Sequence, residues 1–111
     1  MSISCLDGIT RGVGAALMEK FSYSDEGQLL TGTFMDYLLP SALEVPAITI
    51  GDHCTPSPLT EFGQKGSGEA SYLGSPAAIA SAINDALAPV GASIDALPMT
   101  PQAIWLALVR V

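Results

Sequence analysis

Charge is what this sequence has least of. Only 14% of its residues are charged, against about 25% in an ordinary soluble domain. Just four are basic, and 11 acidic residues bring the formal net charge to −7. So few Lys and Arg residues exclude the clustered cationic surfaces that nucleic acid and anionic membranes require. Histidine occurs once and cysteine twice. Cys5 and Cys54 have no CxxC spacing, and His53 beside Cys54 falls short of the ligands of a zinc site. No metal ligand is therefore assigned to the chain, and both thiols are expected to stay reduced. No apolar run approaches the roughly 18 residues of a membrane span. The stretch from Met1 to Asp7 lacks the basic start and long apolar segment of a signal peptide. A cytoplasmic location follows as the default.

What the sequence does have is apolar surface, at 49% of its 111 residues. That length is one domain at most, or a piece of one. Many apolar residues and few charges fit an alanine-rich soluble domain. They fit equally a chain whose outside is covered by other polypeptide.

Along the chain, Ile9, Val13, Ala16, Leu17 and Lys20 recur at helical spacing and predict a helix from Gly8 to Lys20. Gly8, Gly12 and Gly14 weaken it by up to about 1 kcal/mol each, so their use would be the close approach of another backbone. GITRGVG lacks the preceding strand and the spacing of a dinucleotide fingerprint. Ser24 to Gly27 carries turn residues. Gln28 to Phe34 and Val45 to Ile50 suit strands, with Pro40 and Pro46 bounding or interrupting them. From Gly51 to Ser75 no periodicity survives, giving a loop of about 25 residues, a length that is usually functional or disordered. Phe62, Tyr72 and Leu73 within it favour an ordered loop around a site.

Ser75-Pro76 then reads as a helix start for Ala77 to Ala88, which Pro89 and Gly91 stop. Thr100-Pro101 repeats that signal for a last helix to about Val109, with Ile104, Trp105 and Leu108 on a packing face. The expected fold is α/β or α+β: a few strands, about three helices and a long glycine-rich active-site loop.

The loop contains EFGQKGSGEASYLGSP, in which Glu69 directly follows Gly66, Ser67 and Gly68. Taken alone, that carboxylate is a solvated turn residue. The alternative is a backbone that comes close to something, with the acid aimed at it.

Wider context favours the alternative. FGQKGSGEASYLGSPAAIASAINDAL followed by IDALPMTPQAIWLAL resembles part of the molybdenum-binding large subunit of the xanthine dehydrogenase and aldehyde oxidase family. The matching positions are Gly63, Lys65, Gly66, Gly68, Glu69, Gly74, Pro76, Ala78, Ile79, Ala82, Ile83, Asp85, Ala86 and Leu87. The earlier GITRGVGAALMEKFSYSDEGQLLTGTFMDYLLPSALEVP is similar to the family's glycine-bearing helix, acidic turn and F-x-D-Y-x-x-P run. Residues 1–7 depart from the family's lead-in, and Ser4 stands where a glutamine is expected.

The resemblance implies that residues 1–111 are the C-terminal portion of a molybdopterin-binding oxidoreductase domain. Because the family's large subunit is several times longer, the chain is expected to be a separately encoded piece, a truncation or a gene remnant. By the same resemblance Glu69 is the catalytic base, and Lys65, Gly66, Ser67 and Gly68 lie against the cofactor. That cofactor would be a molybdenum–pterin (molybdopterin), expected in its cytosine dinucleotide form. The implied activity is oxidative hydroxylation of an aldehyde or N-heterocycle with water as the oxygen source. Partners would be the remainder of the large subunit, iron–sulfur (Fe-S) and flavin (FAD) subunits, and a small-molecule substrate. The competing expectation is a non-catalytic remnant or structural subunit without cofactor.

Overall fold

The computed structural model describes residues 2–51 and 53–111, with residues 2–4 as helix backbone only. Met1, and Asp52 inside the loop read from Gly51 to Ser75, lie outside the described residues. Three α-helices carry the architecture: α1 (Ser2–Leu17), α2 (Ala70–Leu87) and α3 (Pro101–Val109), with a 3-10 turn at Ala88–Val90. Among the described residues there is no strand, only one antiparallel bridge between Tyr23 and Leu29. The expected α/β or α+β class is therefore corrected to a helical one.

The reason lies in partners. Strand propensity describes how well residues suit a paired, half-buried surface, and here the only pairing is local. The turn at 24–27 closes with the Gly27 N–H on the Ser24 carbonyl at 3.0 Å, and Gly27 takes φ 84°, a conformation glycine adopts without steric cost. Leu30 N–H reaches Ser22 O at 2.8 Å, and pairing ends there. Val45 to Ile50, interrupted by Pro46, forms no ladder with any described residue.

Helix α1 starts six residues before the expected Gly8, at Ser2. Cys5 and Ile9 simply extend the stripe that Val13 and Ala16 continue inward, the last two being 7% and 0% exposed. The helix ends at Leu17 rather than Lys20, where the Gly14 carbonyl accepts from both Met18 N–H (2.9 Å) and Glu19 N–H (2.8 Å).

A second correction concerns α2. It starts at Ala70 instead of Ala77, so the loop is shorter than expected and Pro76 sits inside the helix. A proline there forfeits one hydrogen bond and strains the turn behind it. Tertiary contact outweighs that cost. Gly8 and Gly12, one turn apart on α1, meet Ser71 and Ser75, one turn apart on α2. A Cβ on Gly8 would stand 2.9 Å from the Tyr72 backbone nitrogen, and one on Gly12 would stand 2.3 Å from Ser75 Cβ. Gly8 thus serves the close backbone approach expected of it, whereas Gly12 makes room for Ser75 and Pro76 side-chain atoms and Gly14 for the Glu19 and Pro40 side chains. The Ser75 hydroxyl also donates to the Ser71 carbonyl within this first part of α2.

The segment after α2 folds back as its residues direct. Gly91 takes φ 75° beyond the 3-10 turn. The Asn84 amide then clips Ile94, its Nδ2 donating to the carbonyl and its Oδ1 accepting from the N–H, both at 2.9 Å. Met99 N–H donates to Ala16 O at 2.6 Å, fastening the segment to α1. Thr100 caps α3 as expected, its hydroxyl accepting from Ala103 N–H at 3.2 Å.

The core is thin. Val13, Ala16, Leu87, Ala92 and Met99 are its buried residues. Trp105, expected to pack on a helix face, is 60% exposed, and no residue of α3 is buried. The radius of gyration is 17.6 Å, where a compact domain of this length has about 13 Å. The accessible surface is 8368 Å², against roughly 5,800 Å² for a folded monomer of this mass. The excess, about 2,600 Å², is on the scale of obligate interfaces. Of the two readings that composition left open, this favours apolar surface made to be covered. Among the described residues no helix is long and apolar enough to cross a membrane.

Candidate functional site

Glu69 is the N-cap residue of α2. Its carbonyl accepts from Tyr72 N–H at 3.1 Å and Leu73 N–H at 3.2 Å. Its carboxylate makes no capping bond, so the side chain is left for other work. It lines a cavity of about 540 Å³ together with Asp7, Gly8, Arg11, Glu19, Leu39, Gly68 and Tyr72. The contact of Gly8 with Ser71 and Tyr72 explains this grouping, because it lays one side of α1 against the start of α2.

Of the residues singled out in the sequence, Glu69 and Gly68 are brought together here. Lys65, Gly66 and Ser67 are exposed and do not line the cavity. Lys65 instead donates from Nζ to Thr55 Oγ1 at 3.0 Å. Beside it, Gly63 takes φ 68° with its N–H on Thr60 O and its carbonyl accepting from Ser57 N–H. The loop carrying Lys65 is thus tied to its own base. Phe62 is 81% exposed and absent from the cavity, whereas Tyr72 lines it. His53 and Cys54 are exposed, and no metal-holding group of His, Cys, Asp or Glu occurs among the described residues.

Gly66 and Gly68 differ from Gly8 and Gly12 in an informative way. Neither takes positive φ, and a Cβ on either would meet no atom of this chain within 4 Å. Nothing inside the described chain requires glycine at these positions. The surface they bare is open toward the outside of this chain.

Asp7, Arg11 and Glu19 were missed from sequence. Asp7 and Arg11 form an i,i+4 pair that had a signal: they flank the Gly8 and Gly12 contact. The Arg11 Nε stands 3.2 Å from Oδ1 and 3.1 Å from Oδ2 of Asp7. Glu19 lies beyond the helix end, where spacing gives no direction. Gly14 makes room for it, since a Cβ there would stand 2.1 Å from Glu19 Oε1. Tyr37, whose ring lies 4.9 Å from that of Phe21, donates its hydroxyl to Glu19 Oε2 at 2.6 Å.

That bond pushes the Tyr37 phenol above its ordinary value, with partial burial and the charges of Glu19 and Tyr72 adding to it. A raised phenol favours the protonated donor in the folded state. The contact therefore contributes fully below the ordinary tyrosine value near 10 and is lost as pH rises through the higher folded value. We expect the phenolate absorbance of Tyr37 to appear at higher pH than for a free tyrosine. The Glu19→Gln variant should bring it back down, and an unchanged titration would show the bond to be absent in solution.

Comparisons with known proteins bear on the family. Residues 7–46 match the family profile of the molybdopterin cofactor-binding domain. The chain is similar to the gamma subunit of the 6-hydroxypseudooxynicotine dehydrogenase complex of Paenarthrobacter nicotinovorans, 48% identical over 86% of this chain and 12% of that one. It is similar also to the nicotine 6-hydroxylase large subunit of the same organism, 39% identical over 87% of this chain and 12% of the relative. The crystal structure of quinoline 2-oxidoreductase from Pseudomonas putida 86 follows 97% of this chain with a TM-score of 0.93 and 42% identity, using 14% of its own. The chain thus spans 12% of the curated relatives it matches. With these matches running nearly end to end, the chain belongs to the molybdenum hydroxylase large-subunit family, and its residues 7–46 match the molybdopterin cofactor-binding domain.

Proposed function

We propose that this chain supplies the base of a molybdenum hydroxylase that oxidises an aldehyde or N-heterocycle with water as oxygen source. The observation that carries this reading is the placement of Glu69, at a helix start, on a cavity wall, with its carboxylate free of any capping bond. The overall change replaces a C–H by a C–OH, consuming water and releasing two protons and two electrons. When bound, the molybdenum–pterin group, expected in its cytosine dinucleotide form, supplies the oxidising power.

The chain's own residues do the rest. Glu69 takes up a proton, as a general base must from within about 3 Å or through one water. Gly66 and Gly68 leave room for the cofactor, and Ser67 and neighbouring N–H groups offer it donors. Lys65, anchored on Thr55, braces that loop from its outer side.

The remainder of the large subunit completes the cavity and covers the apolar surface, in the cytoplasm. Fe-S and FAD subunits take the electrons away. Metal analysis of the complex purified with those partners tests the assignment. Molybdenum near one per chain is expected. A fully assembled complex without molybdenum would make this a structural piece that has lost its cofactor.

A further inference from the structure

We propose that three turns within residues 33–60 are preformed apolar anchors that seat in pockets of the remainder of the large subunit, on a surface rimmed by lysine and arginine. The inference rests on the reading above that this remainder covers the apolar surface. Met35, Leu43 and Leu59 are the most exposed large hydrophobic residues described, at 89%, 94% and 93%. Each occupies the same place in a turn of the same kind. Met35 N–H donates to Thr33 Oγ1 at 3.2 Å, Leu43 N–H to Ser41 Oγ at 3.3 Å and Leu59 N–H to Ser57 Oγ at 3.2 Å. A hydroxyl bonded to the backbone two residues on closes a turn by itself. Carboxylates lock two of the three, Asp36 accepting from the Thr33 hydroxyl at 2.8 Å and Glu44 from the Ser41 N–H at 2.7 Å. Scattered exposed apolar residues need no explanation; three on one kind of support do. Backbone fixed beforehand costs little to order on binding, which is how preorganised contacts gain affinity.

Charge decides what the anchors meet. Between Lys20 and Lys65 the chain carries Asp25, Glu26, Asp36, Glu44, Asp52 and Glu61 and no lysine or arginine. The Ser41 hydroxyl and N–H hold the Glu44 carboxyl below its ordinary value, so it stays charged. A second copy of this segment would bring like charges together, which disfavours self-pairing. The complementary surface is apolar at its pockets and basic around them. The chain spans only 12% of its curated relatives, and a solved relative holds this shape as 14% of its own length. Most of the polypeptide that such a surface belongs to thus lies outside residues 1–111.

The test uses the complex assembled from this chain and its partners. Leu43→Ser and Leu59→Ser should each weaken retention of the chain on dilution about tenfold or more, the loss expected for a leucine buried on assembly. Neither side chain is buried in its own chain, so its removal leaves the fold alone. Carbodiimide joins a carboxylate to a lysine in contact with it. Because residues 21–64 hold no lysine, links from Asp25, Asp36 or Glu44 must leave the segment, and they are expected at lysines of the large-subunit remainder. Unchanged retention in both variants would overturn the proposal. So would an absence of links, links only to Lys20 or Lys65 of either copy, or links to another subunit. Trp105→Ser, on the exposed face of α3, separates the two readings. If it weakens retention while the leucine variants do not, the anchors alone fail. If none of the three does, the reading that the remainder covers this chain fails with them.

Discussion

Glu69→Gln in the assembled complex is expected to cut turnover by about 10²- to 10⁴-fold, the usual contribution of a positioned base, with molybdenum still bound. Glutamine has the shape of glutamate and cannot accept the proton. Because the Glu69 side chain caps nothing, the substitution removes no hydrogen bond that holds α2. Metal content and turnover must be read on the same preparation. Turnover within a few-fold of the unaltered complex, at full molybdenum, would remove Glu69 from the chemistry.

The second large effect separates two kinds of glycine. Alanine in place of Gly12 gains up to about 1 kcal/mol of helix propensity. Its Cβ, however, would stand 2.3 Å from Ser75 Cβ and 3.2 Å from Pro76 Cδ, so the helices must part. Crowding of that order costs about 1–3 kcal/mol, and the contact wins. We expect a lower thermal midpoint for Gly12→Ala in the complex. Gly68→Ala meets no atom of the chain within 4 Å and should leave that midpoint alone. Its expected effect, if Gly68 meets the cofactor as proposed, is on molybdenum content. Equal midpoints for Gly12→Ala and the unaltered complex would contradict the helix contact. Full molybdenum loading in Gly68→Ala would turn the loop away from the cofactor.

Of the five expected site residues, Gly68 and Glu69 reach the cavity, where motif and helix start coincide, while Lys65, Gly66 and Ser67 lie outside its lining. The run ending in Glu69 announces itself by its glycines, and Thr100 and Gly91 behave as cap and stop from local rules alone. The failures share one cause, tertiary context. Ser75-Pro76 is a sound start signal, yet packing of Ser71 and Ser75 into the α1 glycines extends the helix back past it. The residues from Gln28 to Phe34 and Val45 to Ile50 suit strands but find no neighbour beyond the short pairing of Leu29 and Leu30. Ile104, Trp105 and Leu108 follow helical spacing, but no described residue packs over Trp105 and Leu108, which stay 60% and 45% exposed. Arg11 had a spacing signal in its i,i+4 partner Asp7 but no direction. Only the α1–α2 contact shows that the side of α1 carrying it faces the carboxylate.

The glycine–serine seam has a consequence for tuning. The acid is mounted on one rod and the guanidinium on the other, and the seam between them has no slack to absorb a change. A misfit of a single methyl group at the seam would therefore alter the gap between two groups that touch neither it nor each other. Displacements near 1 Å can cost a hundredfold in rate, so variants at the seam, far from the reacting atoms, would register as lost speed as well as lost stability.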